Sequence, residues 1–199
     1  LTMQTTPTIR YRTVKTQLLQ SFQAEGHTQR RAMAQISQLT QITDQALKDL
    51  WQLHQMPKSC ALVATGGYGR QELFPYSDID VLVLLPSGTH IDQDAVLKEK
   101  LESFIGACWD EGLEIGSAVR CLDECLAESA QDITVQTAML ESRLLIGNSQ
   151  LYQAFEQSYH STLDPLAFLA AKTAEMHQRH NKYENTPYSL EPNCKESPG

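Results

Sequence analysis

Two acidic residues, Asp78 and Asp80, flank Ile79 at the start of the apolar run 79–85. Side chains alternate between the two faces of a β-strand, so this spacing places both carboxylates on one face, at the N-terminal end of the strand. Two carboxylates on one face repel each other unless a cation lies between them. Proteins usually bind Mg2+ through one or two carboxylates together with the phosphates of a substrate. The spacing therefore predicts that Asp78 and Asp80 bind Mg2+.

A glycine-rich segment precedes the two aspartates. Gly66 and Gly67 follow the apolar run 60–64, at a point where we expect a strand to turn into a short helical segment. Because glycine has no Cβ, backbone N–H groups at this turn can approach a phosphate group closely. Arg70 adds a guanidinium group, which forms charge-assisted hydrogen bonds to phosphate oxygens. The alternative is a plain glycine loop followed by a strand whose aspartates cap a neighbouring turn.

Helical periodicity of apolar residues dominates the rest of the chain. We expect helices within 8–56 and from Asp92, as the capping residue, to Glu111. A third strand is predicted near 114–121, because the chain must return to the sheet there. The segments that follow are predicted to be helical: 123–130, 131–146, 149–160 and 165–183. Asp132, Glu141 and Arg143 are interpreted as a solvated helix face or a local ion pair.

The glycines and aspartates together resemble the signature of the DNA polymerase β-like nucleotidyltransferases, in which two small residues, a spacer and Asp-hydrophobic-Asp follow one another. Here ten residues, 68–77, separate Gly67 from Asp78. The segment GGYGRQELFPYSDIDVLVLL at 66–85 also resembles bacterial PII uridylyltransferases, as do WDEGLEIGSAVRCLDECL at 109–126 and LEPNCKESPG at 190–199. The resemblance extends from about residue 60 to the end of the sequence.

This resemblance implies an α+β fold, a polymerase β-like nucleotidyltransferase core with a small mixed sheet flanked by helices. We expect that core at 58–146, a helical N-terminal extension at 1–57, and a helical segment with an irregular tail at 147–199. In the family, a hydrolase domain and regulatory domains follow the transferase core. We therefore expect a catalytic fragment without de-uridylylation and glutamine sensing, which in the family depend on those later domains.

The resemblance also implies a reaction. UMP would pass from UTP to a tyrosine of the PII nitrogen-regulatory protein, and pyrophosphate would leave. Asp78 and Asp80 would hold the Mg2+ ions that bridge the attacking and leaving oxygens. The residues expected to contact the phosphates are Gly66, Gly67, Arg70 and Ser77.

A third carboxylate is common on a later strand in polymerase β-like enzymes, where it helps to accept the proton of the attacking hydroxyl. Strand alternation makes Glu114 the best-placed acid, and Asp110 and Asp123 lie at the two approaches to that strand. We predict that Glu114 is catalytic. A register shift of one residue would present Ser117 instead, which stands where the family often has His.

Two further functions stay open at this level. One is transfer of AMP or another nucleotide to a protein or a small molecule, because no pattern in the sequence indicates which nucleotide base the site would select. The other is a regulatory module that binds nucleotide without turnover. A net charge of -8 and a pI near 5.2 argue against nucleic acid as a partner, since affinity for phosphate backbones comes largely from Lys and Arg.

The cellular location of the protein and the redox state of its cysteines are predicted from simpler features. No apolar run approaches the ~20 residues of a membrane-spanning helix, and the first residues lack the apolar core of a secretory signal. We therefore expect a cytoplasmic protein with no membrane partner. Five cysteines, an odd number without framework spacing, predict reduced thiols. Cys121 and Cys125 could form half of a metal site, but packing in the core is favoured.

Overall fold

The computed structural model of the protein describes residues 11–24 and 28–182. In this part of the chain, one four-stranded sheet forms from the following strands: β1 (Ala61–Ala64), β2 (Ile79–Leu85), β3 (Ile115–Cys121) and β4 (Arg143–Gly147). The strand order is β3-β2-β1-β4. β1 runs antiparallel to both β2 and β4, whereas β2 and β3 are parallel. The sheet is therefore mixed.

Helices surround this sheet. Those in the described residues are α1 (Tyr11–Ala24), α2 (Gln29–Leu53), α3 (Gly66–Gly69), α4 (Ala95–Asp110), α5 (Leu122–Ser129), α6 (Ile133–Leu140), α7 (Ser149–Thr162) and α8 (Pro165–Lys182), with a 3-10 turn at Ile91–Gln93. The predicted small mixed sheet flanked by helices is confirmed. None of the helices that the structure describes is long and apolar enough to cross a membrane. The domain boundaries at residues 57 and 146 stay a prediction.

One face of the sheet packs against the N-terminal helices and α4. Val81, Val83 and Leu85 of β2 point into this core, because alternate residues of a strand share a face. The helices contribute these buried residues: Leu39, Leu47, Leu50, Trp51, Leu101 and Phe104. The rings of Trp51 and Phe104 meet edge to face, with 5.5 Å between centroids. Such a pair adds about 0.5–1.5 kcal/mol beyond the burial of its area.

The opposite face of the sheet carries the second core. Leu82 and Leu84 of β2 pack there against α5, α6 and α7. The helices contribute Cys125, Met139, Tyr152, Phe155 and Tyr159. With helices on both faces, β2 is buried from Val81 to Leu85, and this is why it reads as a continuous apolar run rather than an alternating one.

The connection between the parallel strands β2 and β3 passes through α4. Its N-terminus is capped by Asp94, whose carboxylate accepts a hydrogen bond of 2.9 Å from the N–H of Leu97. The prediction of Asp92 as the N-cap is wrong by two residues, because the 3-10 turn at Ile91–Gln93 precedes α4. Asp92 lies in that turn, where its carboxylate is 3.8 Å from the ammonium group of Lys98.

The prediction of one helix over 131–146 is wrong in its second half. The helix α6 ends at Leu140, and Arg143–Gly147 forms β4, which pairs with β1 along an edge that would otherwise expose unpaired backbone groups. A short apolar run such as 144–146 fits either a helix or a strand by periodicity. The pairing with β1, a contact distant in sequence, decides between them.

The cysteines of the described residues are free thiols in the core. Cys60, Cys108, Cys121 and Cys125 are all buried. Burial raises the pKa of Cys108 and that of Cys125 to about 12. Both therefore stay protonated near neutral pH. The predicted packing of Cys121 and Cys125 in the core is confirmed, while Cys194 lies outside the described residues.

Candidate active site

The two predicted metal-binding aspartates lie where β2 begins. Asp78 precedes the strand and Asp80 is its second residue; both are exposed, while Ile79 between them is buried. This alternation agrees with two carboxylates on one side of the strand. The carbonyl of Asp80 accepts a hydrogen bond of 3.0 Å from the N–H of Thr65, which joins the start of β2 to the glycine turn.

Two glycines flank the carboxylate of Asp80. Gly116 is its partner across the parallel pair of β2 and β3, and a Cβ at position 116 would lie 2.8 Å from Oδ1 of Asp80. On the other side, a Cβ at position 66 would lie 3.6 Å from Oδ2. The carboxylate thus occupies space that a side chain on β3 would fill. Strand alternation places Gly116 on the same face of β3 as Glu114, the face predicted to lie near the nucleotide, and the strand register then brings Gly116 to Asp80.

The glycine turn is one turn of helix, α3, between β1 and β2. Gly66 has φ +58°, a conformation that favours glycine. The N–H of Gly69 donates to the carbonyl of Thr65 at 3.0 Å, and that of Arg70 donates to Gly66 at 3.1 Å. The predicted change from strand to short helix at this point is confirmed, and it brings the backbone of Gly66 beside Asp80.

Gly69 packs closely against another part of the chain. A Cβ at position 69 would come within 1.7 Å of the carbonyl oxygen of Glu141 and within 3.1 Å of that of Ala64. Both neighbours are backbone atoms, which cannot move aside as a flexible side chain does. Gly69 is thus required by packing between α3 and the end of α6, a role that its position in the sequence alone did not indicate.

Arg70 lies at the glycine turn, as predicted, and holds two carboxylates. Its Nε is 2.9 Å from Oε2 of Glu72, and its Nη1 is 2.5 Å from Oε2 of Glu141. Its Nη2 is 3.7 Å from the position of a Cβ on Gly67. The hydrogen bond to Glu72 raises the pKa of Arg70, and the bond to Glu141 adds to this. A phosphate group at this guanidinium would therefore compete with two acids.

Ser77 lies directly before the aspartates. It is half-buried, and its N–H donates a hydrogen bond of 3.1 Å to the carbonyl of Phe74. This bond closes the loop between the glycine turn and β2. Ser77 is thus next to Asp78 in the chain, and its contact with phosphate stays a prediction.

Glu114 lies directly before β3. Its carbonyl accepts a hydrogen bond of 3.2 Å from the N–H of Ile79, so its backbone is beside the start of β2, and its side chain is exposed. Burial raises the pKa of Tyr11 in α1, and the charge of Glu114 adds to the rise. Within 11–24 and 28–182, no three His, Cys, Asp or Glu side chains form a group that could hold a metal ion. No such three-residue group joins Glu114 to Asp78 and Asp80 in this part of the chain, and the catalytic role of Glu114 stays a prediction.

A partly buried ionic network contacts the glycine turn. Nη1 and Nη2 of Arg143 in β4 are 2.7 Å and 3.0 Å from the two carboxylate oxygens of Asp44 in α2. The hydroxyl of Tyr68 in α3 donates to the same carboxylate at 2.6 Å. Nε of Arg143 also donates to the carbonyl of Gly69 at 3.2 Å. These contacts join two helices and a strand.

The interpretation of Asp132, Glu141 and Arg143 as one solvated face or local ion pair is corrected by these contacts. Only Asp132 has a local role, as the N-cap of α6. Arg143 pairs with Asp44, 99 positions away, and Glu141 pairs with Arg70. The sequence feature that could have indicated the buried contacts of Arg143 is its position directly before the apolar run 144–146.

Two family patterns match the chain. That of the nucleotidyltransferase domain matches residues 43–118, which include the glycine turn, both aspartates and Gly116. That of GlnD PII-uridylyltransferase matches residues 167–199. Among solved structures, the chain resembles a crystal structure of a toxin-antitoxin with AMP-PNP, with a TM-score of 0.34 and 15% identity over 71% of this chain and 96% of that chain. Similarity at that level does not establish a shared fold.

Similar sequences are found among bacterial enzymes named bifunctional uridylyltransferase/uridylyl-removing enzyme. The chain is 57% identical to the one from Ralstonia nicotianae, over 82% of this chain and 19% of that protein. It is 54% identical to that of Cupriavidus metallidurans, over 82% and 19%, and 49% identical to that of Burkholderia orbicola, over 95% and 21%. The chain thus spans about a fifth of the length of these relatives. On this similarity, the chain belongs to the family of bifunctional uridylyltransferase/uridylyl-removing enzymes.

Proposed function

We propose that the protein is a metal-dependent nucleotidyltransferase that transfers UMP from UTP to a tyrosine of the PII nitrogen-regulatory protein and releases pyrophosphate. The observation that carries this proposal is the position of the Asp80 carboxylate between the backbones of Gly66 and Gly116. A metal-binding acid and a phosphate-binding turn need to be adjacent for such a reaction. The names of the relatives support the choice of UMP and PII.

The acids fit magnesium. Asp78 and Asp80 are both exposed at the start of β2, and the missing side chain at Gly116 leaves room for the carboxylate of Asp80. Two carboxylates without a third match Mg2+, which takes its remaining ligands from water and substrate phosphates. When bound, Mg2+ would neutralise charge on the triphosphate and lower the pKa of the attacking hydroxyl.

The glycine turn and its neighbours would bind the phosphates of UTP. Without side chains at Gly66 and Gly67, phosphate oxygens can reach the backbone N–H groups. Arg70 lies against Gly67 and would exchange one of its carboxylate partners for a phosphate oxygen. Ser77, next to Asp78, would add a hydroxyl donor. These contacts orient the triphosphate so that its α-phosphate faces the attacking hydroxyl.

Glu114 would accept the proton of the acceptor tyrosine. Its backbone is hydrogen-bonded beside Ile79, and its exposed side chain is accessible to a protein substrate. A general base has to come within hydrogen-bond reach of the hydroxyl in the complex, and such contacts often tighten only when substrate binds. Glu114 would thus act in the complex with PII.

The surroundings of the reaction follow from its substrates. A net charge of -8 argues against nucleic acid as the acceptor, since acidic proteins repel phosphate backbones. A protein acceptor is compatible with this charge. We propose that the reaction takes place in the cytoplasm, without a membrane partner.

Pyrophosphate release tests the proposal. The protein is incubated with Mg2+ and each of the four nucleoside triphosphates, with and without PII. Release that needs both UTP and PII supports uridylyl transfer, whereas release with ATP and a different acceptor would support adenylyl transfer. Nucleotide binding without release would indicate a regulatory module. Asp80→Asn serves as the inactive variant, and Asp92→Asn, a change of an acid that is exposed in the 3-10 turn, serves as the matched control.

A further inference from the structure

We propose that Asp44 and Arg143 are positioning residues of the nucleotide site, which hold the glycine turn in place through Tyr68 and Gly69. The inference rests on the proposed function, because it assigns these residues to the binding of the triphosphate. Their contacts are with Tyr68 and Gly69 at the C-terminal end of α3, whereas Gly66 at the other end lies beside Asp80.

The turn needs support from outside. α3 has four residues, Gly66–Gly69, three of which are glycines. A single helical turn is unstable in water because its few hydrogen bonds do not offset the conformational entropy that they cost, and glycine adds to this cost. The position of the turn therefore depends on contacts with the rest of the protein.

Arg143 supplies these contacts from β4. Its guanidinium donates to the carbonyls of Gly69 at 3.2 Å and Tyr68 at 3.4 Å, and lies 5.5 Å from the centroid of the Tyr68 ring. The planar guanidinium holds the Asp44 carboxylate with two nitrogens and has further N–H groups for the two carbonyls, whereas a lysine is a point charge without this bidentate geometry. Arg143 thus fixes the end of α3 to the edge strand of the sheet.

Asp44 completes the arrangement from α2. Its two oxygens accept from Arg143 and from the hydroxyl of Tyr68. The side chains of Asp44 and Arg143 are 17% and 21% exposed, so solvent screens the pair less than a surface ion pair. Burial raises the pKa of Tyr68, which keeps its hydroxyl protonated as a donor. Tyr68 itself is 2% exposed.

The position of the turn decides the contacts with the nucleotide. Gly66 lies at one end of α3, beside Asp80, and Arg70 follows at the other. Movement of α3 would displace the backbone N–H groups and Arg70, while Asp80 stays in β2 and Asp78 stays directly before it. Loss of the network is thus expected to weaken nucleotide binding more than it slows the chemical step.

The test compares Asp44→Asn with Asp49→Asn. Asp49 is on the same helix and accepts a hydrogen bond from Gln45, one turn away in α2, so it makes a matched control. Hydrogen exchange of the backbone N–H groups at 69–72, which are bonded within the turn, reports on α3 directly. We expect exchange at 69–72 to rise about tenfold or more in Asp44→Asn and to be unchanged in Asp49→Asn.

Kinetics provide the second readout. We expect Asp44→Asn to raise the KM for UTP about tenfold while kcat falls by less than about threefold, because the turn binds the substrate in its ground state. A merely structural role would lower the folded fraction, and thereby kcat, at an unchanged KM. Tyr68→Phe removes a single hydroxyl and should show the same pattern more weakly, so it replaces Asp44→Asn if that variant does not fold.

The outcomes separate the two proposals. Unchanged exchange at 69–72 in both variants overturns the inference. Raised exchange with an unchanged KM for UTP overturns the assignment to nucleotide binding. If the wild-type protein releases no pyrophosphate with any nucleotide in the presence of PII, the proposed function fails. Equilibrium binding of UTP to the wild type and Asp44→Asn then replaces KM and decides the positioning inference independently of activity.

Discussion

Asp80 and Gly116 face each other across the parallel strands β2 and β3, and a Cβ at position 116 would lie 2.8 Å from Oδ1 of the aspartate. This contact joins a candidate metal ligand to a residue that has no functional group. The absence of a side chain at position 116 is what the carboxylate requires. Both strands are anchored in the core, so the side chain of Asp80 would have to move if this space were filled.

Gly116→Ala is therefore expected to impair catalysis rather than folding. The new methyl group displaces the Asp80 carboxylate, and a misplacement of about 1 Å can cost about 100-fold in rate. The fold should tolerate it, because the atom in contact is the end of a side chain. The measurement is the rate of UMP transfer together with the melting temperature. Gly106→Ala in α4 is the control, since nothing lies within 4 Å of its new Cβ; equal activity of both variants would contradict the role of Gly116.

Asp78→Asn and Asp80→Asn are each expected to abolish transfer and leave the fold intact. Each change removes a ligand and the negative charge that offsets a cation, and it also relieves repulsion between two carboxylates. Thermal stability should accordingly be equal to that of the wild type or higher. The measurements are pyrophosphate release and thermal unfolding. Activity within about tenfold of the wild type would refute the metal assignment, since loss of a metal ligand costs far more.

Arg70→Ala should weaken binding of UTP by about tenfold or more, because a charge-assisted hydrogen bond contributes about 1.5–3 kcal/mol. Glu141→Gln should do the opposite and tighten binding, since Glu141 competes with phosphate for the guanidinium of Arg70. Binding is measured by titration calorimetry of both variants. An affinity that neither variant changes would place the triphosphate elsewhere.

Glu114→Gln tests the proton acceptor. If Glu114 acts as the general base, kcat should fall about 100-fold or more with little change in the KM for UTP. Asp110→Asn, at the end of α4 and also before β3, is the control. A kcat for Glu114→Gln equal to that of the control would leave the metal as the only means of activating the hydroxyl.

Gly69→Ala is a prediction about stability. The new Cβ would come within 1.7 Å of the carbonyl oxygen of Glu141, so main chain has to move. Overpacking of this kind costs about 1–3 kcal/mol. Denaturant unfolding should show the loss, with Gly106→Ala again as the control. An unfolding free energy equal to that of the wild type would indicate that α6 can shift at no cost.

Local sequence patterns were sufficient for the elements that carry the acids. The alternation of Asp78, Ile79 and Asp80 predicted two exposed carboxylates beside a buried residue, because a strand has a period of two whatever it packs against. The glycines at 66 and 67 likewise predicted the change from strand to turn, since few other residues adopt the backbone conformation of Gly66.

Contacts distant in sequence were decided by the tertiary structure. The register of β2 and β3 brings Gly116 to Asp80, and the pairing with β1 makes a strand of Arg143–Gly147, where periodicity alone predicted a helix. Arg143 finds Asp44 at a separation of 99 positions. No local pattern contains such information, because a charged residue reads the same in sequence whether it is solvated or buried against a partner. The sequence by itself therefore determined which residues could do chemistry, and the packing of strands and helices determined which residues hold them.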